Sequence, residues 1–222
     1  MILESIKSKF PNIKSKIDIL PIFVNSNKIY SAEAEKLPFK KNILMVSRLT
    51  REKRVDIGVL EFKKLLDKTN IQDLGLCIVG SGSEEPYIRS LIVKNNLQEK
   101  VRIYRWVNNP FGFYKSADIF LLTSEYEGYG MTLVEAGYAN IPIITTKVGL
   151  AKTDLFKDSI NSYVIDNKDI NLISDRLENL ITNDELRKSF SSNMHDSIKK
   201  TEISKDEYIK KYVSLLLSIA KK

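Results

Sequence analysis

Two glutamates with seven residues between them, Glu127 and Glu135, flank a glycine-rich turn, Gly128-Tyr129-Gly130-Met131-Thr132. Two glycines just before a helix expose its first backbone N–H groups, and such an N-terminus suits a phosphate or a sugar hydroxyl. Glu135 falls inside that helix beside Val134 and Ala136. A carboxylate in apolar company needs partners, and ligand hydroxyls are natural ones; the alternative is a surface glutamate. For Glu127 the alternative is a helix cap, although glutamate is not a preferred capping residue. A second set is cationic. Arg48 ends one apolar run and Lys53 opens the helical segment that follows, so charge and helix dipole together favour an anion there. A solvated charged turn has the same residues. A third set is Gly80-Ser81-Gly82 after another apolar run. The third glycine of a dinucleotide fingerprint would fall at Glu85, so the turn implies only close approach of a ligand to backbone.

These residues sit at the ends of apolar, β-rich runs that alternate with helix-period segments from residue 43 onward. The predicted strands are 43–47, 74–79, 101–104, 119–123, 141–145 and 162–165. Predicted helices start near Val55, with Val59, Phe62 and Leu66 on one stripe, near Glu84, with Pro86 in the first turn, and at Met131; a short helical piece covers 110–116. Nearly all-apolar strands indicate burial on both faces. The fold class is α/β, a Rossmann-like doubly wound parallel sheet, in which ligands bind outside the carboxyl ends of the strands. The ends differ from this core. Residues 1–41 read as linker with one short strand at 17–21, and residues 42–200 as the domain. Three helical segments, 170–182, 184–199 and 205–220, follow the last strand. The final one, within 201–222, carries Tyr208, Tyr212, Leu215, Leu216 and Ile219 on one side, a stripe that requires a partner.

With 28% charged residues and no run of about 18 apolar ones, the chain is not membrane-embedded, and its first residues carry no secretory pattern. A cytoplasmic protein is expected. The net charge of +7 fits a phosphorylated ligand or association with an anionic membrane face. It lacks the basic-aromatic interleaving of nucleic-acid modules, so no nucleic-acid partner is expected. Cys77, the single cysteine, sits in an apolar strand as a small hydrophobe. His195, the single histidine, lies on a late helix as a packing or surface residue. No His, Cys or carboxylate cluster has metal-ligand spacing, so no metal is expected.

The stretch Ser124-x-x-Glu127-Gly128-Tyr129-Gly130-x-x-x-x-Glu135-Ala136 resembles the E-x7-E motif of the large retaining glycosyltransferase family with the GT-B fold, glycosyltransferase family 4 or "glycosyl transferases group 1". Arg48 and Lys53 look like that family's paired cations, Val79-Gly80-Ser81-Gly82 like its loop after the second strand, and 117–122 and 142–144 like the strands around the motif. The likeness covers residues 17 to 200. It implies the C-terminal, donor-binding half of a two-domain enzyme that transfers a sugar from a UDP-, GDP- or ADP-sugar with retention, and whose acceptor half, an N-terminal domain or subunit, lies elsewhere. It further implies that Arg48 and Lys53 neutralise the leaving diphosphate, that Glu135 accepts ribose hydroxyls, and that Glu127 with the amides of 128–131 and Thr132 holds the donor sugar.

The sequence departs from the family pattern at Ser47, where glycine is frequent, and at Arg105-Trp106, in a stretch that in the family lies near the base. Trp106 either stacks on a base or fills a hydrophobic gap. Two other classes share parts of the pattern: a non-catalytic sugar-nucleotide-binding subunit and a dinucleotide-dependent oxidoreductase. The latter needs a complete fingerprint and an acidic ribose partner after the next strand, where this chain has Tyr104-Arg105-Trp106.

Overall fold

The computed structural model describes residues 6, 8–12, 20, 22–105, 107 and 109–220. They form two compact units, Ser26–Thr201 and the paired chain ends Met1–Asn25 with Glu202–Lys222. The first unit is built on one parallel sheet of six strands in the order β3-β2-β1-β4-β5-β6. The strands are β1 (Lys41–Val46), β2 (Leu74–Val79), β3 (Val101–Tyr104), β4 (Ile119–Leu122), β5 (Ile143–Thr146) and β6 (Tyr163–Ile165). β1 pairs with β2 from Lys41 opposite Leu74 to Val46 opposite Val79, and on its other side with β4 at Ile43–Ile119 and Leu44–Phe120. The strand order therefore reverses between β1 and β4, and the loops after those two strands face each other across a crevice.

Around the sheet lie α1 (Ser26–Tyr30), α2 (Val55–Lys68), α3 (Glu85–Lys94), α4 (Phe111–Ser116), α5 (Met131–Tyr138), α6 (Ile173–Thr182) and α7 (Asp184–Lys199). Every residue of β2, β4 and β5 is buried, as strands covered on both faces require. α2 follows a short 3-10 turn, Arg51–Lys53, and Val55, Val59, Phe62 and Leu65 are buried along it. Leu65 completes the expected stripe and Leu66 sits half-buried at its edge, one position further round the helix. α7 is capped by Asn183, whose side chain accepts from the Leu186 amide at 2.9 Å. Cys77 is fully buried, and burial pushes its thiol up to about 12, so it acts as a core residue. His195 is a packing residue too: Nδ1 lies 3.1 Å from the Gly137 carbonyl oxygen and its ring meets Tyr30 at 6.1 Å.

The stretch before β1, expected as linker, belongs from Ser26 onward to the compact unit. Ile29 of α1 is fully buried, and Phe39 lies over β2 at Gly75, where an added Cβ would stand 2.0 Å from the ring. The strand expected at 17–21 lies outside the described residues except for Leu20. In the second unit, helix α8 (Lys205–Ala220) packs Tyr208 against Phe23 with ring centroids 5.6 Å apart. Its Tyr212 and Leu216 are about half exposed, at 48% and 49%. The Ile219 side chain is outside the described set. No helix among the described residues is long and apolar enough to cross a membrane.

Candidate active site

The crevice between β1 and β4 is closed by hydroxyl and backbone contacts before any charge is considered. Thr123 donates its Oγ1 to the Arg54 carbonyl at 2.7 Å, Thr146 donates to the Ser124 carbonyl at 2.6 Å, and the Glu125 amide bonds the Glu52 carbonyl at 2.8 Å. The loops after β1, β4 and β5 are thus one body. Gly149 completes it. At φ +48 it faces the Tyr129 carbonyl so closely that a Cβ would stand 2.4 Å from the oxygen, while Leu150 donates its amide to the same atom at 2.8 Å.

Across this body runs an ion pair. Lys53 Nζ meets Glu127 Oε1 at 2.7 Å, with the two side chains only 12% and 13% exposed, and Ser124 donates its hydroxyl to the same oxygen at 2.8 Å. Glu127 is therefore not a helix cap; the N-cap of α5 is Gly130, at φ +94, with no side-chain cap. Lys53 is not a free cation beside Arg48 either. Arg48 is 71% exposed and among the described residues reaches Glu52, at 3.5 Å. Glu52 is held below the usual carboxylate range by the Thr50 hydroxyl first, then by a backbone amide, with smaller help from Arg48 and Lys53. The two cations thus have different situations: one is committed to Glu127, the other is available.

Beside Arg48 opens a pocket of about 540 Å³. Its lining combines polar side chains, Ser47, Arg48, Ser81, Thr132 and Glu135, with apolar ones, Val46, Val79, Val107, Pro110 and Phe111. A lining of that mixed character suits a ligand that carries both charged or hydroxyl groups and apolar surface. Glu135 is half-buried, and its Oε2 accepts the Tyr114 hydroxyl at 2.8 Å. Burial raises its pKa, and the bond from Tyr114 opposes that rise. The surface alternative for Glu135 does not hold. Ser47 Oγ is buried without a hydrogen-bond partner, next to Arg48 on the pocket wall.

The remaining expected site residues divide. Gly80 lines the pocket, but what approaches it most closely is protein: at φ +149, a Cβ there would lie 1.9 Å from the Ser47 carbonyl oxygen. Gly82 is seated on the Leu49 carbonyl, 2.2 Å from an added Cβ, and forms no part of the pocket wall. The Gly-Ser-Gly turn therefore packs two loops together, with Leu49 donating to the Ser81 carbonyl at 2.9 Å. Thr132 lines the pocket; Gly128, Tyr129 and Met131 do not. Arg105 turns away, 77% exposed, with Nε 3.3 Å from Glu85 Oε1. Trp106 lies outside the described residues. Tyr114 and Phe111 carry no motif; their only signal in the sequence is the aromatic cluster 111–114 after a strand end. Among the described residues no group of three or more His, Cys, Asp or Glu could hold a metal ion.

A parallel 3-2-1-4-5-6 sheet with polar loops gathered at its switch point defines a nucleotide-binding class of α/β domain. The family profile "Glycosyl transferases group 1" matches residues 28–196, and the chain belongs to that family. The chain is 27% identical over 209 residues to the poly(ribitol-phosphate) alpha-N-acetylglucosaminyltransferase of Staphylococcus aureus, covering 93% of this chain and 42% of that protein. It is 32% identical over 152 residues to the 2-deoxystreptamine N-acetyl-D-glucosaminyltransferase of Niallia circulans, covering 68% and 38%. The fold matches the crystal structure of S. aureus TarM in complex with fondaparinux, alpha-GlcNAc-glycerol and UDP, with a TM-score of 0.80 at 24% identity over 96% of this chain and 42% of that one. The chain thus spans about two fifths of the length of these relatives.

Proposed function

We propose that this domain binds a nucleoside-diphosphate sugar in the pocket beside Arg48 and Glu135 and serves as the donor half of a retaining glycosyltransferase. The observation that carries the reading is the pocket at the switch point, whose lining brings the exposed Arg48 guanidinium and the half-buried Glu135 carboxylate together with aliphatic and aromatic side chains. Arg48 takes the diphosphate, whose charge grows as the sugar departs, so its contribution is electrostatic and largest at that moment. Glu135 accepts ribose hydroxyls. Glu127, held by Lys53 and Ser124 and outside the pocket lining, is read as the partner of a donor sugar hydroxyl. On this reading Lys53 acts on the sugar side through Glu127 and reaches the diphosphate only by leaving that pair. The acceptor half is read as an N-terminal domain or subunit outside residues 26–201. Both curated relatives are named for N-acetylglucosamine transfer, so UDP-N-acetylglucosamine is the first donor to try, ahead of GDP- and ADP-sugars.

The two glutamates separate by role. Arg48→Ala is expected to weaken nucleoside-diphosphate affinity by about tenfold or more, as the loss of one charge-assisted contact does. Glu135→Ala lowers affinity for UDP itself. Glu127→Gln leaves UDP bound and weakens only the sugar-dependent part of nucleotide-sugar affinity. Calorimetric titration of UDP and UDP-N-acetylglucosamine into the three variants checks this; equal affinities in all of them and in the wild type would sink the assignment.

A further inference from the structure

Tyr114 belongs to no motif and its hydroxyl lies behind the pocket wall, yet among the described residues it is the side chain that hydrogen-bonds Glu135. The residue is fully buried on α4, its ring packed 5.4 Å from that of Phe120 on β4. α4 is itself strapped by the segment before β1. The Glu35 amide bonds the Gly112 carbonyl at 3.0 Å, Ser116 donates its hydroxyl to the Glu35 carbonyl at 2.5 Å, and a Cβ on Gly112 would stand 2.5 Å from the Glu33 carbonyl oxygen. The phenol is thus a fixed donor.

We propose that Tyr114 is a positioning residue for donor binding, its hydroxyl holding one oxygen of Glu135 so that the other is presented to the pocket as an acceptor. The proposal rests on the reading of Glu135 as the acceptor of donor hydroxyls. A carboxylate has two oxygens with about four acceptor directions, and a free glutamate spreads them over many rotamers. One fixed bond at Oε2 settles the plane and leaves Oε1 for the ligand. The same bond favours the ionised form, against the burial that disfavours it. Few other groups compete for that balance. Arg48 is the other charged side chain on the pocket wall, β1 and β2 present Val46 and Val79, and Lys53 is engaged by Glu127. His195 of α7 meets α5 at the Gly137 carbonyl, two residues further along.

The sign follows. Donor hydroxyls need an ionised acceptor, so affinity is full above the Glu135 pKa and is lost as pH falls through it. Because burial raises that pKa, the loss begins at higher pH than for an ordinary glutamate. Removing the Tyr114 hydroxyl raises it further and moves the acid limb upward.

The test measures the affinity of the 222-residue chain for UDP-N-acetylglucosamine from about pH 5 to 8, a range in which a doubly esterified diphosphate does not titrate, whereas a terminal phosphate, with its second pKa near 6, would. Wild type, Tyr114→Phe, Glu135→Gln and the double variant are compared. Tyr114→Phe keeps the ring and its packing; it is expected to bind about threefold to tenfold more weakly, with its acid limb displaced to higher pH. Glu135→Gln has no such limb, and adding Tyr114→Phe to it changes nothing further. The proposal is overturned if Tyr114→Phe keeps the wild-type affinity and limb, or if it costs the same factor with glutamine at 135, the mark of a packing role. Wild-type binding that survives Glu135→Gln with its pH profile unchanged removes Glu135, and the proposal with it, while leaving the donor pocket standing. Binding of no UDP-, GDP- or ADP-sugar by the wild type overturns the donor reading itself.

Discussion

Replacing Lys53 with methionine should lower the unfolding free energy by about 2–3 kcal/mol, because it strands the Glu127 carboxylate at 13% exposure with only the Ser124 hydroxyl for company. Most of that cost comes from an uncompensated charge and little from the attraction lost. The double variant Lys53→Met/Glu127→Gln should therefore recover most of it, since a neutral amide can still accept from Ser124. Denaturant unfolding of the two single variants and the double one gives the coupling directly. Strictly additive effects would mean that the pair is not formed in solution. If Glu127 holds the donor sugar as proposed, methionine at 53 also removes the group that orients it, and sugar-dependent donor affinity is expected to fall along with stability.

The second large effect is expected at Gly80. Its φ of +149 lies in a region that side chains rarely adopt, and a Cβ would be driven to 1.9 Å from the Ser47 carbonyl oxygen, a backbone atom that cannot swing aside. Gly80→Ala should cost about 3 kcal/mol or more and part the loops after β1 and β2, both of which line the pocket. Gly128→Ala is the matched control. Nothing lies within 4 Å of a Cβ at 128, and the residue is exposed, so its stability should stay within about 0.5 kcal/mol of wild type. Comparable losses at the two positions, read from unfolding midpoints, would contradict the structure at this loop.

The contrast between those glycines marks how much the sequence discloses. Both stand in conspicuous turns, and only the three-dimensional path of the loop after β1 tells which one is pinned. The strands were legible because burial on both faces leaves apolar runs: the bounds of β2 and β3 coincide with the sequence reading, as do those of α7 and α8. Three things were not legible. The pairing of Lys53 with Glu127 joins residues 74 positions apart and depends on β1 and β4 being neighbours in the sheet. The role of Tyr114 depends on the rotation of a six-residue helix too short to show periodicity. The stretch before β1 looked like linker because it is rich in lysine and polar residues, yet the buried Ile29, Phe39 over Gly75 and the backbone of Glu35 bonded to α4 fasten it. Arg105, set near the base by the family resemblance alone, is paired here with Glu85, twenty positions back, while remaining 77% exposed.

The site that results is largely preorganised. Its acidic groups are held by neighbours before any ligand arrives, Glu127 by Lys53 and Ser124, Glu135 by Tyr114. Arg48 is the exposed cation left to meet a diphosphate, with Ser47 Oγ unpartnered beside it. On the proposed reading, the Arg48 guanidinium and the N-terminus of α5 neutralise the ligand in place of a metal. The most direct measurement is therefore a calorimetric titration of the 222-residue chain, in EDTA, with UDP-N-acetylglucosamine, a GDP-sugar and an ADP-sugar. The account predicts saturable binding of one of them at one site per chain, unchanged by the chelator and weakened about tenfold or more by Arg48→Ala. Absence of binding to all three at millimolar concentration, or equal affinity in the Arg48→Ala variant, would contradict it.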